Sequence, residues 1–316
     1  FEAAVLASPS FSFANPPTPP NCFQSYTTCT ENADSVRVYE YYSVTEKFES
    51  GSDGWTLNGT TTPATRYNGG PLLGDNYFLG RFANGQSIQK TFQLNQKSHR
   101  ITFDFYRLDS WDNEKMQVYV GDGTTLLVDY SIVGTNSGFT HTGSSNGYSY
   151  TLEALNNSAK NIPYTGAPSN SNWYDQIIRV YIDVPSGLDN LTLKVSSTLN
   201  SAATDESWGM DNFAIMCTQF DVPAGVSQIE YLAVGGGAGG MADAGGGGGG
   251  GEIRTGILNV ANISSLQVIP GRGGRGYAWG NYYPPRSGDY SVILNNGNEL
   301  VKANGGGTGG GFTKSF

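Results

Sequence analysis

The stretch Ile101-Thr102-Phe103-Asp104-Phe105-Tyr106 sets the fold class, because Ile and Phe side chains alternate with Thr, Asp and Tyr. A period of two is typical of a β-strand that buries one face. The same alternation recurs in Met116–Val120 and Leu191–Val195, and the turn sequence Gly121-Asp122-Gly123 follows the first of these. Short strands separated by Gly, Asn, Asp and Ser clusters predict an all-β protein with a jelly-roll β-sandwich.

These predicted strands belong to the second of three segments of the chain. Residues 1–40 form an N-terminal arm, residues 41–218 the sandwich, and residues 219–316 a glycine-rich domain. One short helix is predicted inside the sandwich, around Thr151–Asn157. Polar loops are predicted for Gly134–Tyr174, and long loops of a sandwich are where binding residues concentrate.

The arm combines an apolar strand with a stiff spacer. Ser10–Phe13 alternates as a half-buried strand does. Asn15–Pro20 contains four prolines and favours an extended polyproline II conformation. Two outcomes fit this pattern. The arm can add a strand to a neighbouring subunit, which predicts a homo-oligomer or filament, or it can fold back as an edge strand of its own sandwich or fray.

The glycine-rich segment holds 27 of the chain's 44 glycines. Such tracts are either flexible linkers or extended segments whose backbones pack closely, since only glycine lets them approach. Apolar runs bracket every tract here, which favours packed, polyglycine II-like segments. The sequence predicts a turn and one strand over Phe220–Val234. It further predicts a strand pair at Gly256–Val260 and Leu266–Pro270, and strands at Tyr290–Leu294 and Leu300–Val301.

Composition excludes several function classes. With 18 Lys and Arg against 27 Asp and Glu, the net charge is −9, so neither a nucleic acid nor an anionic membrane surface is an expected partner. No apolar run approaches the roughly 20 residues that span a bilayer. The chain has two histidines, His99 and His141, and no Cys-x-x-Cys pair, which argues against zinc. No acid pair suited to glycoside hydrolysis is identifiable, so an enzyme is not predicted.

The glycine pattern Gly271-x-Gly273-x-x-Gly276 resembles a dinucleotide fingerprint only superficially. That fingerprint requires a helix that presents its N-terminus to a pyrophosphate. Pro284 and Pro285 follow instead, in a Tyr-rich loop. A bound nucleotide is therefore not expected.

Several features predict a secreted, extracellular protein. The sequence has no initiating Met and no basic segment before Phe1, which fits a chain whose signal peptide has been removed. Glycosylation sequons occur at Asn58, Asn156, Asn190 and Asn262. The three cysteines leave two disulfides open. Cys22 can pair with Cys29, which leaves Cys217 free or paired with a partner outside this sequence, or Cys29 can pair with Cys217.

The third segment resembles the glycine-rich domain of phage tail-fibre adhesins and extracellular microbial and algal proteins. The resemblance rests on Phe220–Glu230, Leu232–Gly237 and the closing Val301–Gly307. It implies glycine tracts packed as polyglycine II helices and a role in adhesion or host recognition. The aromatic insertion Tyr277–Arg286 departs from the pattern.

The second segment resembles secreted carbohydrate-binding, lectin-like jelly-roll domains. The resemblance rests on Phe78–Phe82, Asp109–Asp112 and Asp205–Phe213, and it implies a structural Ca²⁺ ion near Glu49 and Asp211. First and last strands of a jelly roll are neighbours, so these two acids can meet there with backbone carbonyls. The alternative is that they cap turns and pair with Arg81 or Arg107.

Two tryptophans are candidates for stacking on sugars. Trp55 and Trp208 lie in glycine turns at the ends of the sandwich and are expected in the core. Trp111 and Trp173 lie in polar segments and are expected as exposed carbohydrate platforms. The sequence as a whole predicts an extracellular structural or adhesive protein, assembled by exchange of its arm, with a polysaccharide or cell-surface glycan binder as the alternative.

Overall fold

The computed structural model describes residues 23–26, 37–41, 43–68, 77–94, 96–133, 138–155, 175–222, 224–241, 245–274, 276 and 285–310. These residues form β-strands and contain no helix, which confirms the all-β prediction. Ser43–Met216 forms one compact unit, and the residues from Cys217 onward form the body of a second. The predicted arm strand Ser10–Phe13 and its proline spacer lie outside the described residues.

Strands of the first part of the chain pair antiparallel and range from two residues in β4 to twelve in β15. β1 and β2 pair with each other, and the sandwich unit follows as β3 to β15. Their bounds are β1 Phe23–Tyr26, β2 Arg37–Tyr41, β3 Ser43–Glu46, β4 Thr56–Leu57, β5 Arg66–Asn68, β6 Tyr77–Phe82, β7 Ser87–Gln93, β8 His99–Asp109, β9 Asp112–Val120, β10 Thr125–Val133, β11 Thr140–Ser145, β12 Tyr148–Ala154, β13 Gln176–Val184, β14 Asn190–Ser197 and β15 Glu206–Cys217.

Two antiparallel sheets make up the sandwich unit. One has the order β10-β9-β14-β7-β4, and the other the order β11-β12-β13-β8-β15-β6-β5. β3 joins the second sheet beside β15, with Phe213 opposite Glu46 and Met216 opposite Ser43. The first and last strands of the unit are therefore neighbours.

A single apolar core joins the two sheets. Alternate residues of β8, namely Ile101, Phe103 and Phe105, pack with Val118 of β9 and Val195 of β14, and each of these side chains is fully buried. The period of two seen in the sequence is thus the period with which side chains point into the sandwich.

The predicted hairpin at Gly121-Asp122-Gly123 is confirmed. It joins β9 to β10, and Gly121 and Gly123 have φ of +74° and +87°, values that side chains disfavour. The predicted helix around Thr151–Asn157 is wrong where the chain is described. Tyr148–Ala154 is β12, which pairs with β11 on one edge and β13 on the other. Those two ladders outweigh the local helical preference of Leu152-Glu153-Ala154-Leu155.

The described residues from Gln219 onward form six strands in two sheets. A four-stranded sheet has the order β16-β19-β20-β21, and β17 pairs with β18. Both sheets contribute side chains to one small core that includes Ala233, Leu266, Ile293 and Val301. The strand bounds are β16 Gln219–Asp221, β17 Gln228–Val234, β18 Ile253–Asn259, β19 Ser265–Ile269, β20 Ser291–Asn295 and β21 Asn298–Ala303.

The predicted pairing of Gly256–Val260 with Leu266–Pro270 is wrong. Both strands exist as β18 and β19, but β18 pairs with β17 while β19 lies between β16 and β20. The predicted strands near Tyr290–Leu294 and Leu300–Val301 are present, as the paired β20 and β21.

Candidate functional site

Five extended segments of the second unit are joined laterally by backbone hydrogen bonds. Four of them are rich in glycine, and the fifth, residues 285–289, contains one glycine, Gly288. We name the five segments tract A (235–241), tract B (245–251), tract C (271–276), tract D (285–289) and tract E (305–310). The Ala238 amide of tract A donates to the Gly249 carbonyl of tract B at 2.9 Å, and the Gly249 amide donates to Gly307 of tract E at 2.9 Å. A flexible linker is not expected to make such lateral bonds.

Tract A bonds to four neighbours, whereas a strand in a sheet has at most two. Besides tract B, its residues Gly236 and Gly239 donate to Asp289 and Arg286 of tract D. Gly237 accepts from tract C, and Gly236 accepts from tract E. The two donors to tract D are three residues apart, the spacing of a three-residue-per-turn extended helix.

Side chains are excluded where the tracts touch. A Cβ atom built on Gly248 would lie 2.5 Å from the carbonyl carbon of Ala238, and one on Gly306 would lie 2.7 Å from that of Gly249. Gly247, in the same tract, faces open space within 4 Å. Glycine is therefore required where two backbones lie too close for a Cβ atom, and it is not required for this reason at Gly247.

The β17–β18 ribbon exposes an apolar outer face. Ile253 and Ile257 of β18 are 67 % and 69 % exposed, the two most exposed large apolar side chains of the described residues. They lie opposite Val234 and Glu230 of β17, on the face directed away from the small core. β18 pairs with β17 on one edge, and no described strand pairs with its other edge.

A second surface of interest is a half-buried aromatic group on the sandwich. Tyr130 of β10 stacks on Phe139, with ring centroids 5.1 Å apart, and lies 4.8 Å from the ring of His141. Tyr150 of β12 continues the row, 5.8 Å from His141, with the Tyr150 hydroxyl 3.2 Å from His141 Nε2. Partly exposed aromatic rings with polar edges are suited to contact amphipathic ligands such as sugars.

The third feature is an acidic cluster at one end of the sandwich, where the β8–β9 turn meets the start of β15. One carboxylate oxygen from each of Asp112, Glu114 and Glu206 lies within 4.8 Å of the other two. Two contacts hold the chain segments together: Ser110 Oγ donates to the Asp205 carbonyl at 3.1 Å, and Trp111 Nε1 donates to the Ser207 carbonyl at 2.9 Å.

Glu114 and Glu206 are the buried members of this cluster, and Glu206 is the more deeply buried of the two. Glu206 is 5 % exposed, and its Oε2 atom is buried without a hydrogen-bond partner. Burial, followed by repulsion from the Glu114, Asp112 and Asp205 carboxylates, raises the pKa of Glu206 to about 7. A carboxyl group therefore sits where its own ionisation is opposed both by desolvation and by like charges.

The predicted cation ligands Glu49 and Asp211 have different hydrogen-bond partners. Asp211 is buried, and its two oxygens accept hydrogen bonds from the Tyr106 hydroxyl (2.8 Å) and the Asn212 amide (2.7 Å). Glu49 is exposed and accepts a bond from the Tyr77 amide at 3.3 Å. Neither belongs to a group of three or more ligating side chains within the part of the chain that the structure describes. A Ca²⁺ ion at this pair stays a prediction.

The prediction of an exposed sugar platform at Trp111 is wrong. Its side chain is 1 % exposed and packs edge-on against Phe105, with ring centroids 5.9 Å apart. The polar residues around Trp111 suggested a surface loop, but the partner of its indole N–H is a carbonyl of β15, far away in sequence. Trp173 lies outside the described residues. Trp55 and Trp208 are buried in the core, as expected.

The remaining predicted positions are only partly described. The sequon residues Asn58, Asn190 and Asn262 are exposed, whereas Asn156 lies outside the described residues. Cys217 is buried, with its Sγ 3.7 Å from the Gln219 carbonyl. Cys22 and Cys29 also lie outside the described residues, so both disulfide alternatives stay predictions.

Comparison with known proteins tests the prediction made for the third segment. Residues 216–315 match the family model of the glycine-rich domain, which confirms the glycine-rich domain predicted from the sequence. No curated protein matches the chain. Among the described residues, no helix is long and apolar enough to cross a membrane.

Proposed function

We propose that this chain is an extracellular structural and adhesive protein, a subunit that assembles into a filament or surface appendage by strand exchange of its N-terminal arm. The observation that carries the proposal is the open edge of β18 with Ile253 and Ile257 exposed beside it. Exposed apolar edge strands template the addition of another strand, and natural proteins normally cover or charge them.

The arm has the chemistry that this edge requires. Residues 3–13 contain no charged side chain, and Ser10–Phe13 alternates as a strand does. In strand addition, backbone hydrogen bonds supply affinity and alternate side chains supply specificity. Burying one isoleucine contributes about 1.5–3 kcal/mol. A neighbour's arm laid along β18 would cover Ile253 and Ile257, and the proline spacer would carry it away from its own sandwich.

The glycine-rich unit would serve as a rigid contact module in such an assembly. We take tracts A to E to be a bundle of polyglycine II helices, which the bonds at three-residue spacing in tract A support. A module fixed by backbone bonds between five tracts is suited to transmit load or present a surface. A non-enzymatic role follows from this proposal.

Assembly can be tested with charges placed on the edge. The double variant Ile253→Lys/Ile257→Lys should abolish concentration-dependent assembly, measured by sedimentation velocity and electron microscopy, because lysines on an edge oppose strand addition. Leu126→Lys is the matched control: Leu126 is 41 % exposed on β10, an edge strand of the sandwich. Removal of residues 1–14 should reproduce the double variant. A wild-type chain that stays monomeric at every concentration would refute the proposal.

The alternative function is binding of a polysaccharide or cell-surface glycan. The row Tyr130, His141 and Tyr150 favours it, since these rings are partly exposed side by side. Tyr130→Ala should then weaken binding on a glycan array at least tenfold, while Tyr290→Ala, at an exposed tyrosine of the other unit, leaves it unchanged. Trp173→Ala tests the second predicted platform in the same assay. Unchanged binding in both Tyr130→Ala and Trp173→Ala would exclude these contact points.

A further inference from the structure

We propose that Asp112, Glu114 and Glu206 form a binding site for a divalent cation of the calcium type, where the β8–β9 turn meets the first residue of β15. This site is separate from the predicted pair Glu49 and Asp211. Asp112 and Glu114 come from the start of β9, and Glu206 comes from the start of β15. The two segments are far apart in sequence.

The spacing of the three carboxylates fits a shared ion. One oxygen of each lies within 4.8 Å of the others. Calcium binds oxygen ligands at about 2.3–2.6 Å, so two ligands of one ion lie no more than about 5 Å apart. The three oxygens can therefore surround a single ion without separating the strands. Backbone carbonyls or water would complete the six to eight ligands that calcium takes.

The second observation is the state of Glu206. Its side chain is 5 % exposed, yet its Oε2 atom has no hydrogen-bond donor. A buried, unpartnered polar atom costs about 1–3 kcal/mol, and more when it is charged. Most buried polar atoms in native proteins are satisfied, so this one calls for a partner that protein atoms do not supply. A cation in the cluster is such a partner.

The negative charges at the cluster also favour a bound cation. The groups that oppose ionisation of Glu206 besides burial are three further carboxylates, those of Glu114, Asp112 and Asp205. Glu114 is itself 7 % exposed. Two nearly buried acids beside a third are expected to repel unless a positive charge lies between them.

The ligands are held in place by contacts that do not need the ion. Glu114 Oε2 accepts the Asp112 amide at 2.7 Å, which fixes one acid relative to the other. Ser110 and Trp111 fasten the β8–β9 turn to β15 through the bonds described above. The ligand side chains are therefore already ordered, and little conformational entropy is lost when an ion binds. Three carboxylates favour calcium over magnesium, which usually uses one or two and keeps several waters.

The test uses the full chain, stripped with EDTA and dialysed. Calcium at about 100 times its dissociation constant should raise the melting temperature of the sandwich unit by roughly 5–10 °C. Terbium, a luminescent substitute for calcium, should show emission excited through the neighbouring tryptophan Trp111. Glu206→Gln and Glu114→Gln should each remove the calcium shift and the terbium signal. Circular dichroism establishes that each variant is folded.

Two matched controls locate the ion. Asp129→Asn removes an exposed carboxylate of β10 that pairs with Lys115, and Glu49→Gln removes the ligand of the other predicted site. Both should keep the full calcium response. The proposal is overturned if the wild type gives no shift and no terbium signal, if either persists in Glu206→Gln, or if Glu49→Gln alone abolishes them. An equal response to magnesium at the same concentration would overturn the calcium assignment.

Discussion

Replacing Gly248 by alanine should destabilise the glycine-rich unit far more than the same change at its neighbour Gly247. Both glycines belong to tract B, and neither has a left-handed φ, so alanine is conformationally allowed at each. They differ in what a Cβ atom would meet. At Gly248 it would lie 2.5 Å from the carbonyl carbon of Ala238, and at Gly247 it meets nothing within 4 Å.

The size of the difference follows from the bonds beside the contact. To admit a methyl group, tracts A and B must separate, which breaks the bond from Ala238 to Gly249 and strains the bond from Gly249 to Gly307. A hydrogen bond contributes about 0.5–1.5 kcal/mol net, and an unsatisfied buried group costs about 1–3 kcal/mol. Gly248→Ala should therefore cost about 2–4 kcal/mol. Gly247→Ala should stabilise by about 0.4–1 kcal/mol, because it reduces the entropy of the unfolded chain.

Differential scanning calorimetry of the full chain measures both effects. For a unit of roughly 100 residues, 1 kcal/mol shifts the melting temperature by about 4–8 °C, so Gly248→Ala should lower its transition by roughly 10 °C or more. Amide hydrogen exchange of the 245–251 segment should rise in Gly248→Ala only. Equal melting temperatures for the two variants would refute the claim that lateral backbone packing dictates where glycine is required.

Two further predictions concern the sandwich unit. Trp55→Phe should cost about 1.5–3 kcal/mol in urea unfolding, because the Trp55 indole donates a buried 2.7 Å bond to Glu46 Oε2 that phenylalanine cannot replace; a loss below 0.5 kcal/mol would contradict this role. In EDTA, the sandwich should lose stability as pH rises from about 4.5 through about 7. Folding raises the pKa of Glu206 to about 7, so the folded state holds that proton more tightly than the unfolded chain. Glu206→Gln should flatten this dependence, and an unchanged pH profile in that variant would assign it to other groups.

The strands could be predicted because their signal is local. The alternation in Ile101–Tyr106 states which side chains face the core, and Gly121-Asp122-Gly123 supplies the positive φ that its hairpin needs. Strand partners are not encoded locally. β18 and β19 follow one another with a short connection, as hairpin strands do, yet they belong to different sheets. The apolar pattern of each strand is compatible with either partner, and the common core decides between them.

The helix prediction failed for a related reason. Leu152-Glu153-Ala154-Leu155 has residues that favour helices, but helix propensity differs by only a few tenths of a kcal/mol per residue. Pairing with both β11 and β13 gives each backbone group a partner and places Leu152 in the core. Tertiary pairing therefore overrides the local preference.

The candidate cation site shows where prediction from single motifs ends. Asp109-Ser-Trp-Asp112 and Asp205-Glu206-Ser-Trp208 are each distinctive, but separately each is a polar turn with a tryptophan. The structure joins them: Trp111 is buried because its indole reaches Ser207, and this contact also brings Asp112 towards Glu206. Trp111, predicted from the sequence to be an exposed binding surface, is thus a buried residue that holds the two segments of the acidic cluster together. Only the two motifs together with Glu114 supply the three carboxylates of the proposed site.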